Sequence, residues 1–100
     1  MTPGMPTITA RSLVRPRPGV RLIFDDVRGR HALLYPEGVL LVNETAAAVF
    51  SRCTRTITVA ALVAGLRETY DGVAEKDVVA LLTRLADDHL LEVLNADDAQ

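Results

Sequence analysis

A single cysteine, Cys53, leaves this 100-residue chain without the pair that an intramolecular disulfide needs and without the clustered thiols of a zinc or iron–sulfur site. Lysine is as scarce: Lys76 is the only one, and arginine supplies the other positive charges. Arginine is the better partner for planar carboxylates, which suits acidic peptides, but a GC-rich genome yields the same bias and is the weightier explanation. No apolar run approaches the ~20 residues that a membrane-spanning helix requires, and no basic-then-apolar signal opens the chain. With the lone cysteine, this predicts a cytoplasmic protein with no membrane partner.

Catalytic signatures are missing too. There is no Gly-rich phosphate loop and no nucleophile elbow. His31 and His89 fall in different predicted elements, with no spaced cysteines or carboxylates to complete a metal site. Cys53 lies on the apolar side of a predicted helix, where a thiol behaves as a small hydrophobe and lacks the cationic, part-exposed setting that activates it. Asp25 and Asp26 share a predicted hairpin loop, the usual place for turn-forming carboxylates. The expectation is therefore no catalytic residue, no cofactor and no metal. A net charge of −2 offers no field to draw in polyphosphate, which disfavours nucleic acid.

What is present is the composition of a folded domain: 49% of residues are hydrophobic and 24% charged, too apolar for disorder. At this length one domain with one core is expected. Residues 1–18 hold Pro3, Pro6, Pro16 and Pro18 with no apolar periodicity between them. They read as a flexible, locally basic arm, either free in solvent or laid along a sheet of its own or a neighbouring subunit. Residues 19–94 form the folded domain, and 95–100 an acidic, frayed tail.

Within the domain, residues 20–24 alternate as a strand whose buried face is Val20, Leu22 and Phe24, the Gly29 connector allows the chain to reverse, and residues 31–35 return. Pro36-Glu37-Gly38 makes a second turn into Val39, Leu40, Leu41 and Val42, a strand apolar on both sides. One side can meet the core, and the other needs a cover, which marks it as a surface for a partner. Asn43 or Thr45 caps a first helix whose apolar face is Ala46, Val49, Phe50 and Cys53. Thr58 caps a second, at residues 59–70, burying Val59, Leu62, Val63, Leu66 and Tyr70, with Gly65 implying a close helix approach. Gly72 ends it. A third helix at residues 74–88 turns Val78, Leu81, Leu82 and Leu85 inward, and residues 90–94 make a last strand or an extended cap.

The order predicts an α+β fold that is winged helix-turn-helix-like, a three-stranded antiparallel sheet followed by three helices. That architecture serves DNA or peptides. In a DNA reader the third helix would enter the groove, but its polar face carries Glu75, Asp77, Asp87 and Asp88 against Lys76 and Arg84, a balance that repels phosphate. Only the basic arm favours a winged-helix DNA-binding module, which stands as the alternative. A peptide added as an extra strand on an open sheet edge has a mechanism: backbone hydrogen bonds supply affinity and alternate side chains supply specificity.

The stretch LLYPEGVLLVNETAAAVF, preceded by VRLIFDDVRGRHA and followed by TVAALVAGLRETY, resembles the PqqD family of pyrroloquinoline quinone (PQQ) biosynthesis and the wider peptide-recognition domains related to it. The likeness spans residues 15–91. It implies a non-catalytic peptide chaperone that binds a ribosomally made, PqqA-like precursor peptide between the third strand and the third helix. The peptide would then be presented to a PqqE-like radical S-adenosylmethionine (SAM) enzyme, which crosslinks a Glu and a Tyr. Matched residue by residue, the implied peptide-binding set is Val39, Leu40, Leu41 and Val42 on the strand, and Asp77, Ala80, Leu81 and Arg84 on the helix. A recognition domain of another ribosomal peptide-modifying system would look much the same. The chain departs from the family pattern at Gly38, at Thr54-Arg55, and at His89, which stands where a Gly normally ends the third helix. The bare strand edge and the arm leave a homodimer open.

Overall fold

β-rich runs and turn residues set out the first half of the chain, and amphipathic helices the second. In the computed structural model, which describes residues 8–94, the order is β1 (Leu13–Pro16), β2 (Arg21–Asp25), β3 (Arg30–Tyr35), β4 (Gly38–Val42), α1 (Glu44–Ser51), β5 (Ile57–Thr58), α2 (Val59–Thr69), α3 (Glu75–Asp87) and β6 (Leu91–Leu94). Two antiparallel sheets result, ordered β2-β3-β4 and β5-β1-β6. The α+β class and the meander followed by helices stand as expected. The second sheet is additional.

In the meander, residues opposite one another share a face. Leu22, Leu33 and Leu40 form one rung and Phe24, His31 and Val42 the next, on the helix side. Leu33 and Val42 join the core with Val49 and Phe50 of α1. Phe24 does not follow Leu22 inward: it is half exposed, and its ring stands edge-on to His31 with centroids 5.1 Å apart. The other face carries Ile23, Ala32 and Leu41 on one rung and Leu34 and Val39 on its neighbour. Ile23, Val39 and Leu41 are exposed there, so the apolar surplus of β4 does face outward.

Residues 8–18 are not a solvated arm. Val14 is fully buried at the centre of the second sheet, opposite Ile57 on one side and Val93 on the other. Backbone hydrogen bonding explains why the segment is held. The first amides of a helix have no partner within it, and here those of Val59 and Ala60 donate to the carbonyls of Ser12 and Ala10, while Ala61 donates to Thr58 Oγ1. Ser12 is itself buried and accepts the Thr9 amide on its hydroxyl. Proline is tolerated because Pro16 sits at the strand's end, where a missing donor costs least. Arg17 then joins the sheets, its guanidinium donating to both carboxylate oxygens of Glu37 (3.0 and 3.3 Å) and to the His89 carbonyl. That pairing holds the Glu37 carboxyl below its ordinary range. Residues 1–7 and 95–100, where the rest of the expected arm and the tail fall, lie outside the described residues.

Asn43 is the cap of α1, its Oδ1 accepting the Ala46 amide at 2.8 Å. α2 is capped by Thr58 but ends a residue before Tyr70, which turns extended, leaves the helical repeat and is exposed rather than buried. At Gly65 the nearest neighbour is a side chain from the C-terminal end of α1. The Arg52 side chain lies across it, 3.3 Å from where a Cβ would stand, on its way to Thr69 Oγ1 at 2.7 Å.

α3 ends on His89 at φ 62°, the only non-glycine residue with positive φ among those described. The Leu90 amide reaches the Leu85 carbonyl and the His89 amide that of Ala86, the paired bonds of a Schellman terminus. The helix end is therefore fully formed despite the histidine, and the cost is carried in the backbone. His89→Gly is expected to raise stability by about 1 kcal/mol, the left-handed penalty of a β-carbon less the added freedom of glycine in the unfolded chain. Urea melts of the two chains check it through a higher midpoint at unchanged slope.

Candidate functional site

α1 crosses the helix side of the meander, and the chain after α2 folds back beside it to begin α3. Between them opens a groove of about 800 Å³. Its α1 wall is Glu44, Ala47, Ala48 and Ser51, which share one helix face at i, i+3, i+4 and i+7. The opposite wall is Val73 and Ala74 with Asp77, Val78 and Leu81 of α3, and Tyr70 and Asp71 of the preceding connection line it too. Leu22 of β2 and His31 of β3 supply the sheet side. The hollow exists because Ala47 and Ala48 are small: a methyl group at each leaves space that a longer side chain would occupy. Gly72, at φ 72°, lets the chain turn sharply enough to place α3 opposite α1.

The groove is apolar within and acidic at its rim. Glu44, Asp71 and Asp77 contribute carboxylates, and among the described residues no lysine or arginine lines it. None of the three takes part in an ion pair among the described residues, whose bridges are Arg15–Glu92, Arg17–Glu37 and Arg28–Asp25. α3 begins without a side-chain cap because Ala74 has no acceptor, and Glu75 and Asp77 compensate in part by placing negative charge in its first turn.

Of the residues named from sequence, Asp77 and Leu81 line this groove, while Ala80 and Arg84 are exposed on α3 beyond it. Val39, Leu40, Leu41 and Val42 form β4, an outer strand whose far margin has no partner strand among the described residues. The groove does not reach them: its sheet wall is Leu22 and His31, and β2, the other outer strand, is the margin beside it. Leu22, Ala47, Ala48 and Tyr70 were not legible as site residues. A helix position kept small on the face next to the core face is the signal that marks them, visible at Ala47 and Ala48.

The residues considered for chemistry have other placements. Cys53 is fully buried in the core, and burial pushes its thiol up to about 12, so the nucleophilic thiolate is absent near neutrality. Asp25 builds the hairpin turn: its Oδ1 accepts the amides of Val27 and Arg28, and Oδ2 pairs with the Arg28 guanidinium at 3.1 Å. The hydrogen bond from the Arg28 amide is the main reason that its carboxyl lies below the ordinary range. Among the described residues no three His, Cys, Asp or Glu side chains converge as metal ligands, and no helix is long and apolar enough to cross a membrane.

Residues 30–91 match the family model of coenzyme PQQ synthesis protein D (PqqD). A PqqA binding protein of Stutzerimonas stutzeri is 44% identical over 69 residues, which is 66% of this chain and 74% of that one. The bifunctional coenzyme PQQ synthesis protein C/D of Methylorubrum extorquens is 38% identical over 77 residues, 74% of this chain but 21% of its own length. The solution structure of the PqqD truncation of Methylobacterium extorquens PqqCD superimposes with a TM-score of 0.72 at 34% identity, covering 85% of this chain and 94% of that one. That truncation is a functional, stand-alone recognition element for ribosomally synthesized, post-translationally modified peptides. Sequence agrees with these relatives and fold with the solved one, and the chain belongs to the PqqD family.

Proposed function

We propose that this chain is a non-catalytic, cytoplasmic peptide chaperone of PQQ biosynthesis, which binds a PqqA-like precursor peptide as an added strand and presents it to a radical SAM enzyme. The observation that carries the reading is an outer strand, β2, whose far margin has no partner strand among the described residues and which runs beside an apolar groove: Leu22 lies on both. Backbone hydrogen bonds to an edge strand net about 1 kcal/mol each, and ordering the peptide offsets much of that. Selective affinity therefore needs apolar anchors, and Leu81 with Ala48 offers them a place. Of the residues named from sequence, Asp77 and Leu81 serve this margin. Val39, Leu40, Leu41 and Val42, with Ala80 and Arg84 on the helix, belong to the alternative in which the guest pairs with β4. With the guest on β2, the β4 margin is left to a second copy of the chain, as in a homodimer. Nucleic acid is not a partner in this reading, since acidic residues occupy the first turn of α3.

Titration of isotope-labelled chain with PqqA of Stutzerimonas stutzeri, followed by backbone amide shifts, tests this. Shifts centred on Leu22, Ala48, Asp77 and Leu81 are the expected result. Shifts confined to Val39 through Val42 would move the guest to β4. A response to duplex DNA with none to peptide would overturn the function.

A further inference from the structure

The charge of the groove says more about its guest than its shape does. Glu44 and Asp77 stand on opposite walls, Asp71 lines the groove from the connection before α3, and among the described residues His31 is the only lining side chain able to carry positive charge. Arg67 comes near, but its Nε donates to the Val73 carbonyl at 3.1 Å and the residue does not line the groove. Between the carboxylates the surface is Ala47, Ala48, Val73 and Leu81. An acidic segment, including the chain's own residues 95–100 with Asp97 and Asp98, would meet like charge here.

We propose that the groove between α1 and α3 takes a stretch of guest peptide in which an apolar side chain is flanked by lysine or arginine, the apolar group against Ala48 and Leu81 and the cation between Glu44 and Asp77. This rests on the peptide-binding reading and specifies the guest's chemistry. The direction is opposite to the one that arginine-rich composition suggests. The chain's arginines look suited to acidic peptides, yet none of them lines the groove.

The test is a double-mutant cycle by calorimetry at low salt, with PqqA of Stutzerimonas stutzeri and a copy in which every lysine and arginine is replaced by glutamine. Asp77→Asn and Glu44→Gln should each weaken binding of the unaltered peptide about threefold, and together about tenfold, the scale of partly exposed ion pairs. The loss should shrink as salt rises. The neutralised peptide should bind the wild-type chain and both variants alike, and Asp87→Asn, on α3 outside the groove, should change nothing with either peptide. Variants that bind the unaltered peptide as tightly as wild type would overturn the preference while leaving the peptide-binding function in place. So would equal losses with both peptides, or a salt-sensitive self-association that peptide does not reverse, which would give the groove to a second copy. A wild-type chain that binds neither peptide would overturn the function and, with it, this inference.

Discussion

Val14→Asp is expected to leave the chain largely unfolded at 25 °C. Val14 has no exposed surface and lies between Ile57 and Val93 in the middle strand of its sheet. Removing the valine forfeits roughly 1.5–3 kcal/mol of burial, and a carboxylate in its place adds an effective penalty of several kcal/mol for an unpaired buried charge. A domain of this size has about 5–15 kcal/mol of stability in all, so one substitution consumes most of it. Arg15→Gln, one residue on, is the control: it breaks an exposed pair with Glu92, worth about 0–1 kcal/mol. Circular dichroism and urea melts of the two variants separate the outcomes. A Val14→Asp chain that melts like wild type would show that residues 8–18 are dispensable after all.

Ala48→Trp is expected to weaken PqqA binding by at least about 30-fold, equivalent to ~2 kcal/mol, because an indole placed on the α1 wall fills the space that a guest side chain needs. Ser51→Trp, one turn on and exposed, should act in the same direction with less effect on the fold. Both effects are steric and should persist at high salt, unlike those of Asp77→Asn and Glu44→Gln. Unchanged affinity in both tryptophan variants, with native circular dichroism spectra, would remove the groove from the binding site and favour the β4 margin.

The meander and helices were legible because their signals are local. Apolar runs between turn residues specify the strands, Asn43 and Thr58 carry their capping oxygens in the side chain, and the i, i+3, i+4 pattern marks Val59, Leu62, Val63 and Leu66 as buried. β1 was not legible because its support is distant. Leu13 and Val14 are an apolar pair among arginines and prolines, too short to show a period, and what fixes Val14 is Val93, at the far end of the chain, together with α2 amides in need of acceptors. Tyr70 misled for a related reason, since a periodicity says where a side chain would point in a helix but not that the helix continues. Of the groove's lining, Asp77 and Leu81 of the third helix were named through the family resemblance, in a cleft expected against the third strand. The α1 side is left open by Ala47 and Ala48, residues too small to fill it, and sequence patterns record what occupies space more readily than what leaves it free.

The pairing of β1 with β6, which sets Leu13 opposite Leu94, brings the way into the domain next to the way out. Such a module can be spliced to another protein at its front, at its back or within a surface loop without pulling its own strands apart.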